Sequence, residues 1–260
     1  MPPPRPQTIP VFLLVRTAYQ LLWQQKDDAL RLGLIPTLLC FGALLYGGDA
    51  IALAAAQFHA AAPTEPAGGT LITLVVTILI VLVAASLAVA NWLRFTLLGP
   101  MAAVGIGLNV GRAHVGFIVS CVVLAFAGSI MGSVLSMPIA LLPGVLAAVG
   151  FVVVLLVVLV LVARLLPFAV AQAIGQPMSL QQAWAASRGN GVALATAIIL
   201  VQVPMWIVST VLVSILGAIG FAAAAPLAML FLNAVLEIID AILIAIVLAT
   251  AFRQMVGIRV

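Results

Sequence analysis

Six predominantly apolar runs of more than twenty residues leave this chain very few folds. They cover about 32–56, 70–98, 115–137, 144–170, 192–217 and 226–252. A helix needs about 20 mostly apolar residues to cross the hydrocarbon core of a bilayer. The runs are continuous, whereas a closed membrane barrel alternates apolar and polar residues in segments of about ten. Without water to satisfy it, the backbone of each run must bond within its own segment, so the runs are predicted to be α-helices. Composition supports this: 66% of the 260 residues are hydrophobic and 6% are charged. Soluble domains carry roughly 25% charged residues, and this chain has too few to cover a water-facing surface. A soluble enzyme, a nucleic-acid binder and a secreted disulfide scaffold are excluded. The expected fold class is an all-α membrane protein with six transmembrane helices.

The placement of charge sets an orientation. Of ten basic residues, nine are Arg, and only Lys26 is Lys. Arg5, Arg16, Lys26 and Arg31 precede the first run, Arg94 and Arg112 flank the second connection, Arg164 and Arg188 the fourth, and Arg253 and Arg259 close the chain. The opposite connections hold only Asp49 and Glu65. Because basic residues stay on the cytoplasmic side, both termini are expected in the cytoplasm, with the helices paired as three hairpins. The net charge of +4 therefore reads as topology, with no basic patch for nucleic acid. The Arg-rich, Ala/Val/Leu-rich composition is typical of bacteria with GC-rich genomes, and the expected location of such a helical chain is the bacterial inner membrane.

Residues 1–31 are expected to form an N-terminal tail and an interfacial amphipathic helix, and 32–260 a single six-helix domain. Between Ile9 and Arg31 the polar positions recur every three or four residues, with Tyr19 and Trp23 as headgroup anchors. The N-terminal segment lacks the uninterrupted apolar core of a signal peptide. A second short interfacial helix is predicted after Pro177, which breaks the fourth run. Ser179-Leu-Gln-Gln182 is a capping-box pattern, Trp184 is an anchor, and Gly189 is placed at C′. Cys40 and Cys121 lie in apolar runs and are expected as free thiols, and no spacing suggests a metal site or cofactor.

Asn233, Glu237 and Asp240 form an i, i+4, i+7 stripe near the middle of the sixth run. An ionisable residue there costs on the order of 2.5–3.5 kcal/mol unless it faces protein or water. Two readings stand: a proton, cation or substrate contact, or an interhelical hydrogen bond to Gln202, Ser209, Thr210 or Ser214. Arg94 and Arg164, in the last turns of their helices, either snorkel to lipid phosphate or share a headgroup pocket. Pro204, just after Gln202, is expected to kink the fifth helix. Gly128, Gly132 and Ser136 form a small-residue stripe for close packing, within the chain or in a homodimer.

No Ser-His-acid grouping, Walker loop or dinucleotide turn is present, and His59 and His114 fall at opposite membrane faces, so the chain is not expected to be an enzyme. Trp92-Leu-Arg94-Phe-Thr-Leu-Leu-Gly99-Pro100, Arg164-Leu-Leu-Pro167-Phe-Ala, Ser179 to Asn190 and Ala251-Phe-Arg253-Gln-Met-Val-Gly257 are together similar to uncharacterised six-helix bacterial membrane proteins. These resemble the membrane domain of glycerophosphoryl diester phosphodiesterases. In that family the chemistry belongs to a separate soluble barrel, so the resemblance implies a helical membrane module with no catalytic residue. The leading expectation is an accessory, scaffold or assembly protein acting through membrane lipids and a membrane-protein partner. The alternatives are a small transporter or channel using Glu237 and Asp240, and lipid-headgroup binding or flipping through Arg94 and Arg164.

Overall fold

The computed structural model describes residues 9–58, 68–103 and 111–256. Arg5, His59, Glu65, Gly257 and Arg259 lie outside the described residues. Among those described there is no strand. The helices are α1 (Val11–Gln24), α2 (Lys26–Phe58), α3 (Gly68–Leu98), α4 (Arg112–Ser136), α5 (Gly144–Ala173), α6 (Leu180–Ala186), α7 (Gly191–Ala218), α8 (Phe221–Ala224) and α9 (Pro226–Val256). Six of them, α2, α3, α4, α5, α7 and α9, are long and apolar enough to cross a membrane, the build of a multi-pass membrane protein.

Several boundaries differ from expectation for local reasons. The first spanning helix begins at Lys26, not near residue 32, because Asp27 and Asp28 in its first turn favour the positive end of the helix dipole. The predicted amphipathic helix therefore stops at Gln24. Pro177 does not end α5. The helix closes earlier with Gln176 N–H donating to Ala171 O (2.9 Å), Gly175 N–H donating to Gln172 O (3.1 Å), and Gly175 left-handed at φ 72°. That pair of bonds is a Schellman closure, which glycine at C′ permits. The capping box is present: Gln182 N–H donates to Ser179 Oγ (3.2 Å) and Ser179 N–H to Gln182 Oε1 (2.8 Å). Gly189 is left-handed at φ 82°, one position later than C′.

α9 is the central helix, packing against α1, α2, α3 and α7. Ala241, Ala245 and Ala249 recur at four-residue steps and are buried, and Ile238, Leu243, Ile246 and Phe252 fill the space around them. Small side chains let helices approach where lipid provides no hydrophobic drive. α2 runs antiparallel to α9, since Gly33 faces Ile238 and Ile242 while Gly48 faces Leu230. α4 runs antiparallel to α5 in the same way: Gly116 faces Gln172, Gly128 faces Val162, and Gly132 faces Val158. Gly128 packs on Val162 of α5, while Gly128, Gly132 and Ser136 also line an open groove of about 610 Å³ between the two helices, and Ser136 Oγ donates to Ser133 O at 3.0 Å.

Candidate functional site

The polar stripe of α9 faces α7. Asn233, Glu237 and Asp240 share one side of a groove of about 510 Å³ whose other wall is Gln202, Trp206 and Ser209. Gln202 Nε2 donates to Asp240 Oδ2 at 3.0 Å, the interhelical bond expected on one of the two readings. The second carboxylate oxygen, Oδ1, is buried without a hydrogen bond. Glu237 and Asn233 are exposed in the groove, and Glu237 makes no hydrogen bond with any described residue. α9 has 31 residues, so at 1.5 Å per residue it is about 46 Å long, and Asp240 falls near its middle. The carboxyls therefore sit where charge is costly in hydrocarbon, and one of them is turned outward.

Pro204 lies inside α7 two residues after Gln202. Proline has no N–H, so it cannot donate to the carbonyl one turn earlier. Beside that gap, Tyr19 reaches from α1 and its hydroxyl donates to Val201 O at 2.7 Å. Burial first, and the nearby Asp240 carboxylate second, push the Tyr19 phenol above its ordinary pKa and keep it a donor. Tyr19, expected as a surface anchor, is turned inward onto α7. Trp23 is exposed at 77%, with Lys26 Nζ 5.8 Å from its ring centre. α1 crosses α7 and α9 as a strap: Ile9 N–H donates to Asn190 Oδ1 (3.1 Å) at one end, and Leu14 and Ala18 are fully buried along it.

Arg94 and Arg164 do not share a pocket. The Arg164 guanidinium stacks on Trp184 at 3.5 Å and donates to Trp184 O at 3.2 Å, while Ser187 Oγ donates to Arg164 O at 2.9 Å. This clamp sews α6 back along α5, so Trp184 is Arg164's platform as well as a half-exposed ring. Arg94 reaches elsewhere, its Nη1 donating to Ala173 O at 3.0 Å. Beside Arg94, His114 Nε2 and Asn91 Oδ1 lie 3.0 Å apart, a pairing not expected from the sequence. Asn91 is three residues before Arg94 on the same helical face, a signal that spacing alone could have supplied. His114 is recognisable only once α4 is known to start at Arg112, which places it at N3. Cys40 is buried and Cys121 partly buried, both as free thiols. Among the described residues no cluster of His, Cys, Asp and Glu could hold a metal. No protein-family model, curated protein or solved structure matches the chain.

Proposed function

We propose that the chain is a non-enzymatic assembly module of a bacterial inner membrane that seats a transmembrane helix of a partner protein in the α7–α9 groove. The observation that carries this is the outward-facing Glu237 beside Asp240 at mid-length of α9, in a groove open to the side. An unpaired carboxyl facing lipid is costly, and a partner helix with a basic or amide side chain at that depth would offset the cost. The spanning helices pair as three hairpins with both termini cytoplasmic. The basic ends Arg94, Arg112, Arg164, Arg188 and Arg253 support that orientation. The strap α1 and the short α6 then lie at the cytoplasmic face, with Trp23 and Trp184 toward the headgroups. The resemblance to phosphodiesterase membrane domains fits the same reading, since it brings no catalytic residue.

The test is a photo-reactive side chain at Val203, on the groove wall, in native membranes. One discrete adduct is expected, lost in Glu237→Leu, while that variant keeps the unfolding midpoint of the wild type in detergent. The transport reading has its own support in the polar lining that reaches Asp240. If the purified protein alone moves a solute across liposomes and Glu237→Gln stops it, transport replaces assembly.

A further inference from the structure

A second polar cluster, away from the α7–α9 groove, lies where the end of α3, the start of α4 and the last turn of α5 meet. Arg94 is held there by its bond to Ala173 O. His114 is buried, and two bonds settle its tautomer. Gly111 N–H donates to Nδ1 (3.3 Å), so the proton is on Nε2, which donates to Asn91 Oδ1 (3.0 Å). The imidazole is therefore a neutral wall that braces the start of α4 against α3. In front of it is a cavity of about 310 Å³ lined by Arg94, Ala102, Gly111, Arg112, Ala113 and His114.

Among the described residues the lining includes two arginines, Arg94 and Arg112, and no carboxylate. The ion pair recorded among the described residues, Arg31 with Asp28, involves neither arginine. Arg94 Nε is buried without an acceptor. The first turn of the 25-residue α4 is closed by His114 and Val115 N–H on Gly111 O, so Arg112 and Ala113 keep outward N–H groups with no helical acceptor. A topology role accounts for the exposed Arg112. It does not account for Arg94, which is turned inward and part-buried. We propose that this cavity binds a phosphate monoester, carried by a lipid headgroup or by a soluble phosphate. Two guanidinium groups match its double negative charge, and the outward amides of α4 add donors for its oxygens.

The experiment uses the full chain in neutral detergent micelles and follows the thermal unfolding midpoint, which rises when a ligand binds the folded state. The probes are phosphatidic acid and inorganic phosphate, against phosphatidylcholine and sodium chloride at matched ionic strength. Phosphatidic acid is expected to raise the midpoint and the two controls are not. A rise with inorganic phosphate as well identifies a soluble anion as sufficient, whereas a rise with phosphatidic acid alone identifies the lipid. Arg112→Gln, an exposed change that leaves the fold intact, should weaken apparent affinity about tenfold, the loss of one charge-assisted hydrogen bond. Arg94→Gln also removes the tether to Ala173, so Arg94→Lys is the companion: it keeps a donor for that carbonyl but loses the planar fork, and should weaken binding several-fold. The proposal is overturned if neither phosphate probe moves the midpoint, if sodium chloride reproduces the rise, or if Arg112→Gln responds like the wild type.

Discussion

At the end of the bundle where Arg94, Arg164 and Arg253 sit, α3, α5, α7 and α9 bury Ala88, Ala169, Ala195, Ala245, Trp92 and Phe252 against one another. At the opposite end the same helices, with α4, turn Val145, Leu155, Ile207, Ile215 and Phe126 outward. Both ends are rich in apolar residues, so apolarity alone does not distinguish them. Side-chain size and polar tethers do. The packed end has alanines at four-residue steps and side chains that reach carbonyls of neighbouring elements: Arg94 to Ala173, Arg253 to Thr96, Ser187 to Arg164 and Tyr19 to Val201. The open end has bulky Val and Leu, which lipid solvates as well as protein does. The polar groove of α7 and α9 lies where one regime gives way to the other.

The largest expected effect comes from one chemical change made at both ends. Phe252 is fully buried and Phe126 is 68% exposed. Phe252→Ala leaves a cavity and should cost about 3 kcal/mol, whereas Phe126→Ala should stay within about 0.5 kcal/mol. Unfolding midpoints of the two variants in the same micelle measure the difference. Equal losses would break the comparison.

A glycine pair within α7 probes the same contrast at somewhat smaller amplitude. A Cβ on Gly191 would meet Arg164 Cγ at 2.5 Å, and Arg164 cannot swing away without leaving its Trp184 platform. Nothing lies within 4 Å of a Cβ on Gly217. Gly191→Ala should therefore destabilise by about 2 kcal/mol through overpacking. Gly217→Ala should be neutral, or stabilising by up to about 1 kcal/mol through helix propensity. Circular dichroism during thermal unfolding separates the two signs.

The six spanning helices were legible because length and apolarity leave no other way to satisfy a backbone in lipid. Their ends were legible to within about six residues, and the capping box at Ser179 was read to the residue. What was not legible was which helix would be central. Ala241, Ala245 and Ala249 form a small-residue stripe as clear as Gly128 and Gly132, but an alanine at every fourth position is commonplace in so alanine-rich a chain. The pairing of Gln202 with Asp240 could be offered from helix adjacency, whereas the separation of Arg94 from Arg164 could not be seen. In the sequence both were read in the last turns of their runs, but Arg164 lies nine residues before the end of α5, where α6 folds back along it. Tyr19 was misplaced for a related reason: an aromatic near an interface is ambiguous until the helix it packs against is known.

A smaller effect is expected from the strap. Tyr19→Phe removes one hydroxyl donor from Val201 O and should cost about 1 kcal/mol, with faster hydrogen exchange in α1. Ser209→Ala, which removes a hydroxyl bonded only within its own helix turn at the open end, should move neither readout. If Ser209→Ala is as costly, the tethers are not what distinguishes the packed end.

The smallest effect tests whether the packed end depends on buried contacts or on surface charge. Asp28 and Arg31 form an exposed pair at 3.3 Å in the first turns of α2. Such i, i+3 pairs contribute a few tenths of a kcal/mol and fade with salt, and Asp28 adds a similar amount through the helix dipole. Asp28→Asn should therefore lower stability by about 0.5 kcal/mol at low salt and by less at high salt. The wild-type unfolding midpoint should also change little with ionic strength. A strong salt dependence would place the stability of this end in its exposed charges. The alanine stripe and the buried tethers would then describe the shape of the packed end without accounting for its strength.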